Sequence, residues 1–103
     1  MNIIQSTNEY DALLKDNQSV FVDFYADWCG PCKMVVPLVE ELSKEYTDIK
    51  FVKVNVDNTP DIAQRYGIMS IPTLIAFKNG EIAGRIVGFQ PKEALAALAE
   101  KTR

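Results

Sequence analysis

Val20-Phe21-Val22-Asp23-Phe24-Tyr25-Ala26 is apolar at both alternating sets of positions except for one residue, Asp23. A strand with one wet face alternates apolar with polar, so this run is predicted to lie inside a sheet covered on both sides. Beyond residue 33 the period changes. Val35, Leu38, Val39, Leu42 and Tyr46 recur at helical spacing, with Glu40, Glu41, Ser43, Lys44 and Glu45 mostly opposite them. That pattern predicts an amphipathic helix, and Pro37 within it, lacking an amide hydrogen, should kink it.

The remaining elements are marked by their ends. Ile3 to Gln5 is short and apolar enough for an edge strand, and Ser6 with Glu9 is a capping-box pattern opening a helix to about Lys15. Ile49 to Val56 reads as a strand. Thr59-Pro60-Asp61 supplies an N-cap, a first-turn proline and an early acid for a short helix ending at Gly67. Thr73 to Phe77 and Glu81 to Val87 flank Lys78-Asn79-Gly80, and Asn-Gly favours a tight hairpin turn. From Pro91, Glu93 to Lys101 is rich in alanine and leucine and predicts a last helix. The order βαβαβα then ββα predicts an α/β fold, a central mixed five-stranded sheet flanked by four helices, in one domain spanning residues 1–103.

Composition narrows the function. The chain of 103 residues is 48% hydrophobic and 24% charged, long enough to bury roughly two-thirds of its unfolded surface. A net charge of -3, with lysines and arginines dispersed, offers no stripe for nucleic acid or an anionic membrane. Met1-Asn2-Ile3-Ile4 lacks a basic stretch leading into an apolar one, and no uncharged apolar run could span a bilayer, so a cytoplasmic protein is expected. In that reducing compartment a stable structural disulfide is not expected, and the two cysteines, Cys29 and Cys32, read as catalytic or metal-binding.

The chain has no histidine, which excludes Cys-His and Ser-His hydrolysis. Any zinc site would have only two soft ligands and would need two chains, so no metal is expected. Without a Gly-rich phosphate loop or dinucleotide fingerprint, nicotinamide and flavin should not bind, and electrons must come from another protein.

Cys29-Gly30-Pro31-Cys32 stands where the apolar run gives way to the helical pattern. A thiolate attacks a disulfide sulfur, and a second thiol within reach then expels the product by closing an internal disulfide. Residues three apart on a helix share a face at roughly 5 to 6 Å between Cβ atoms, near enough for a slightly adjusted first turn to hold either oxidation state.

Asp23-Phe24-Tyr25-Ala26-Asp27-Trp28-Cys29-Gly30-Pro31-Cys32-Lys33, with Pro37, Asp57, Ile71-Pro72-Thr73, Asn79-Gly80 and Gly88, resembles the thioredoxin family over nearly the whole chain. The resemblance implies the thioredoxin fold and a general protein disulfide reductase acting by dithiol-disulfide exchange. Cys29 would be the nucleophile, acidified by the helix N-terminus and Lys33, and Cys32 the resolving thiol. Thioredoxins are themselves a standard instance of that acidification. Neither Gly30 nor Pro31 has a side chain that could stabilise the thiolate, which favours a reductant over a disulfide-forming oxidant. A carboxylate inside a two-sided apolar strand must lose hydration, so the pKa of Asp23 should rise. Six residues before Cys29, it could accept the Cys32 proton, through a water.

Lys53 on its own reads as a snorkelling strand lysine; the resemblance makes it the charge partner of Asp23. It also implies that Pro72, trans by ordinary odds, is cis and faces the disulfide, leaving the Ile71 backbone free to pair with an extended substrate segment. Trp28, Gly30, Pro31 and Gly88 would complete that docking surface, with Asp57 hydrogen-bonded to the Trp28 indole. A thioredoxin reductase, with NADPH as ultimate donor, would restore the dithiol of a monomeric protein whose clients include reductases and peroxidases. Tyr25 departs from the family, since many bacterial thioredoxins carry tryptophan there; the change should bear on packing more than on chemistry. A subunit or chaperone-like clamp, and an oxidase or isomerase on the same fold, are the rival readings.

Overall fold

The run around Phe21 forms the middle of a five-stranded sheet in the computed structural model, which describes residues 1–103. In chain order the elements are β1 (Asn2–Ile3), α1 (Thr7–Asp16), β2 (Ser19–Tyr25), α2 (Gly30–Glu45), β3 (Lys50–Asn55), α3 (Pro60–Arg65), β4 (Thr73–Lys78), β5 (Glu81–Val87) and α4 (Lys92–Glu100). The strands lie in the order β1-β3-β2-β4-β5. β1, β3 and β2 are parallel, whereas β4 runs antiparallel to β2 and β5 to β4. The sheet is therefore mixed, with β2 at its centre.

Alternation along β2 divides the core. Phe21 joins Val35, Val39 and Leu42 of α2 and Leu95, Leu98 and Ala99 of α4 on one face. Val20, Val22 and Phe24 join Tyr10 of α1 and Ile62 of α3 on the other. All four of these β2 side chains are fully buried, and each contributes about 1.5 to 3 kcal/mol by leaving water. No helix is long and apolar enough to cross a membrane.

Three local expectations are corrected. The edge strand is Asn2–Ile3 rather than Ile3 to Gln5, because the Gln5 amide donates to the Glu9 carboxylate at 2.6 Å and leaves the ladder. Ser6 does cap α1, its hydroxyl accepting from Glu9 N at 3.1 Å, so the reciprocal half of the capping box is displaced by one residue. Thr59 precedes α3 without capping it; its hydroxyl donates to the Asn55 carbonyl at 3.2 Å instead. The far end of α3 closes as a Schellman motif, Gly67 N donating to Gln64 O and Ile68 N to Ala63 O. α2 remains helical through Pro37.

Gly84 is a packing requirement that the hydrophobic pattern does not mark. A Cβ there would stand 2.8 Å from Leu98 Cδ1 and 3.0 Å from Lys101 Cδ, because α4 lies directly on β5. Leu98 is buried and has little freedom to retreat. Gly84→Ala is expected to lower stability by about 1 to 3 kcal/mol, the usual cost of overpacking, as measured by urea unfolding. Equal midpoints for variant and parent would show that α4 yields freely.

Candidate active site

Where β2 ends, the chain turns through Ala26 to Trp28 and enters α2 with Cys29 as its N-cap. The first amides of a helix have no partner within it, and here the Cys32 N–H donates to Cys29 Sγ at 3.2 Å. Pro31 fits the first turn because the amide hydrogen it lacks would have been unpaired there. Cys29 and Cys32 form a disulfide with their Cα atoms 5.3 Å apart, inside the range that a disulfide spans without backbone movement. Both sulfurs pack against Tyr25 and Ala26, with Val56 and Ile71 alongside.

A second segment closes over the first. The Ile71–Pro72 peptide bond is cis, and the Ile71 carbonyl lies 3.7 Å from Cys29 Sγ. Neither Ile71 N nor Ile71 O takes part in a backbone hydrogen bond. Gly88 fastens this loop to the end of β5, its N–H donating to Pro72 O at 2.7 Å from a φ of 89°, a conformation that side-chain-bearing residues rarely adopt. Trp28 is 72% exposed, and its indole N–H donates to Asp57 Oδ2 at 2.9 Å. The Asp57 amide in turn donates to Asn55 Oδ1. Gly30 and Pro31 are exposed at the helix mouth, and a Cβ on Gly30 would meet nothing within 4 Å.

Asp23 lies two residues before Tyr25, which packs against the cysteines, on the face of β2 that it shares with Phe21 and Tyr25, opposite Lys53 of β3 and Leu74 of β4. It is wholly buried, and neither carboxyl oxygen has a hydrogen-bond partner. Loss of hydration pushes its pKa up to about 7, against a downward pull from Lys53. That pull acts at a distance: the two form no ion pair, and the Lys53 ammonium sits over the Tyr25 ring, 4.3 Å from its centroid. The charge partnership of Lys53 with Asp23 is thus exerted across the strand pair, without a hydrogen bond between them. Tyr25, Ala26, Asp27, Cys32, Lys33, Val36 and Lys53 line a recess of ≈ 350 Å³ that takes in both Cys32 and the residue opposite Asp23. A larger hollow of ≈ 440 Å³ lies at the opposite end of β2, beside Gln18 and Asn79, away from the sulfurs. No group of three or more His, Cys, Asp or Glu side chains could hold a metal ion.

A family model described as Thioredoxin matches residues 2–101. The chain belongs to the thioredoxin family. It is similar to the thioredoxin of Bacillus subtilis (strain 168), with 46% identity over 98% of each chain. It is also 44% identical to "Thioredoxin M5, chloroplastic" of Oryza sativa subsp. japonica, over 96% of this chain and 59% of that one. Among solved structures, a thioredoxin of Plasmodium falciparum superposes with a TM-score of 0.93 at 40% identity, covering 98% of each chain.

The thioredoxin activity is dithiol-disulfide exchange, and the Cys29–Cys32 pair at disulfide distance is the group that performs it. The chain is a protein disulfide oxidoreductase whose redox electrons reside on two sulfurs. Around that pair the fold gathers Trp28, Gly30 and Pro31 from the turn into α2, Ile71 and Pro72 from the loop before β4 and Gly88 from the end of β5, with Asp57 hydrogen-bonded to the indole and Asp23 and Lys53 in register on β2 and β3. The sequence reading missed two features. Met69, two residues from Ile71, is 96% exposed, but in the sequence it is one more apolar residue after Gly67-Ile68. The seating of Lys53 on Tyr25 needs the β2–β3 register, which the pattern of apolar positions does not supply.

Asp23 makes stability depend on pH in a determined direction. Its folded pKa stands above its ordinary 3.8, so the unfolded chain loses this proton first and stability falls as pH rises from about 4 to about 7. The gap corresponds to about 4 kcal/mol at 1.36 kcal/mol per pH unit. Asp23→Asn, close in shape and never charged, is expected to match the oxidised parent at pH 4 and exceed its stability by up to about that amount at pH 8. Urea unfolding across the range measures the difference, and a gap that did not vary with pH would contradict the assignment.

Proposed function

We propose that the chain is a cytoplasmic, monomeric general reductant of protein disulfides, formed as one domain over residues 1–103, with Cys29 as nucleophile and Cys32 as resolving thiol. The observation that carries this reading is the N-terminus of α2 aimed at Cys29: the Cys32 N–H already donates to that sulfur and would stabilise a thiolate there. Cys29 attacks a client disulfide, forming a mixed disulfide and releasing one client sulfur as a thiolate. Cys32 then gives its proton to Asp23 and bonds to Cys29 sulfur, and the second client sulfur leaves with the electron pair. Two electrons have passed to the client, and the protein departs oxidised.

Asp23 suits the acceptor role because a carboxyl with a pKa near 7 can both take and return a proton at neutral pH. Lys53 limits how far that pKa rises. Trp28, Gly30, Pro31, Ile71, Pro72 and Gly88 serve as the docking surface, the unpaired Ile71 backbone adding one strand-like pairing to an extended client segment and Asp57 fixing the indole. No cofactor is bound in this cycle. A thioredoxin reductase returns the two electrons, with NADPH as ultimate donor, and nucleic acid and membrane surfaces are not among the partners.

Two measurements test the reading. Cys32→Ser is expected to accumulate mixed disulfides with client proteins, visible on a non-reducing gel, and Cys29→Ser is not; equal behaviour of the two would defeat the assigned roles. Equilibration with a glutathione redox buffer is expected to place the couple on the reducing side of glutathione, as the Gly30-Pro31 pair requires. A couple more oxidising than glutathione would indicate an oxidase or isomerase instead.

A further inference from the structure

Lys53 and Asp23 face each other in the β2–β3 register, on the side of the sheet that α2 covers, and yet the ammonium and the carboxyl do not pair. The ammonium instead lies 4.3 Å from the centroid of the Tyr25 ring, two residues along the strand from Asp23 and on the same face. An aromatic face attracts a cation through its quadrupole without neutralising it. We propose that Tyr25 is a positioning residue whose ring holds the Lys53 ammonium aside, leaving the Asp23 carboxyl unpaired and able to take the Cys32 thiol proton.

The inference rests on Asp23 as the proton acceptor of the resolving step and adds the reason why it remains a usable base. In that step the S–H bond of Cys32 breaks and its proton goes to the Asp23 carboxylate. A Cys32–Cys29 bond forms while the Cys29–client sulfur bond breaks, and the client thiolate is protonated by solvent. An ammonium paired directly with Asp23 would stabilise the carboxylate and weaken it as a base. The surrounding charges leave Lys53 as the one cation opposite Asp23. β2 itself contributes Tyr25, the turn after it Asp27, α2 Cys32 and Lys33, which also line the recess, β3 Lys53, and β4 the apolar Leu74. The phenol of Tyr25 is raised above its ordinary pKa by burial, with Asp27 and Asp23 adding to the effect, so the ring stays neutral over the working range. Tyrosine here is thus more than a substitute for tryptophan in packing.

The test follows the Asp23 carboxyl by carbon NMR in the oxidised protein across pH. Tyr25→Leu removes the aromatic face and releases Lys53 toward Asp23, and the midpoint is expected to fall by about one pH unit or more, as for a carboxylate gaining a nearby cation. Tyr25→Phe and Tyr25→Trp keep a face and are expected to keep the midpoint. In a Lys53→Met background, Tyr25→Leu is expected to produce no fall. An unchanged or raised midpoint in Tyr25→Leu, a fall that persists without Lys53, or a fall in the aromatic variants would overturn the proposal. The parent protein offers a check independent of variant folding: the Lys53 ε-methylene protons should be shifted upfield by the ring current, and unshifted protons would also overturn it. None of these readings needs a client, so failure of disulfide exchange and failure of the positioning role are separate results.

Discussion

One donated hydrogen organises the active end of this molecule. A helix leaves its first amides unpaired, and α2 directs one of them, on Cys32, onto the sulfur of Cys29. The disulfide thereby occupies the N-cap position that a serine or aspartate commonly fills, and the group that ends the helix is also the group that reacts. The position of this cap is fixed by β2. Four of its apolar side chains are wholly buried against helices on two faces, so the strand cannot slide without exposing them. The strand, and with it the register to Lys53 and Leu74, sets where the cysteines emerge.

That constraint also explains which parts of the fold were legible in the sequence. β2 announces itself because burial on both sides demands an unbroken apolar run. α2 does so through its period, and the β4–β5 hairpin through Asn79-Gly80, both at positive φ as a tight turn needs. Three details were less legible because each depends on a side chain choosing between nearby partners. Glu9 took the Gln5 amide, Thr59 took the Asn55 carbonyl, and Lys53 took the Tyr25 ring. Such choices are settled by side-chain placement in the folded chain, and a pattern of polar and apolar letters does not contain them. Gly84 belongs with them, since its need for a bare Cα arises only when α4 lies down on β5.

The candidate site divides the same way. Cys29, Cys32 and Asp23 were visible as chemistry, two thiols at exchange spacing and an acid where no acid should be comfortable. Trp28, Ile71, Pro72 and Gly88 were visible only through family resemblance. Nothing in their spacing says that residues from the start of α2, the loop before β4 and the end of β5 share one surface. They meet because β2 and β4 are antiparallel neighbours, which brings the beginning of β4 beside the end of β2. β5 then returns to the same end, and Gly88 N ties it to Pro72 O.

Asp23 shows how such a site is tolerated. An ionised carboxylate there costs about 4 kcal/mol relative to the unfolded chain, a large share of the 5 to 15 kcal/mol that holds a typical domain. The two-sided core supplied by β2 is what leaves room for that cost. The redox change itself asks little more of the fold. With Cα atoms 5.3 Å apart, the two cysteines are already at a separation that suits both a disulfide and adjacent positions on one helical face. That separation does not require the backbone to move when the bond opens. The Cys32 amide that touches Cys29 sulfur in the disulfide is in place to receive the negative charge when that sulfur becomes a thiolate.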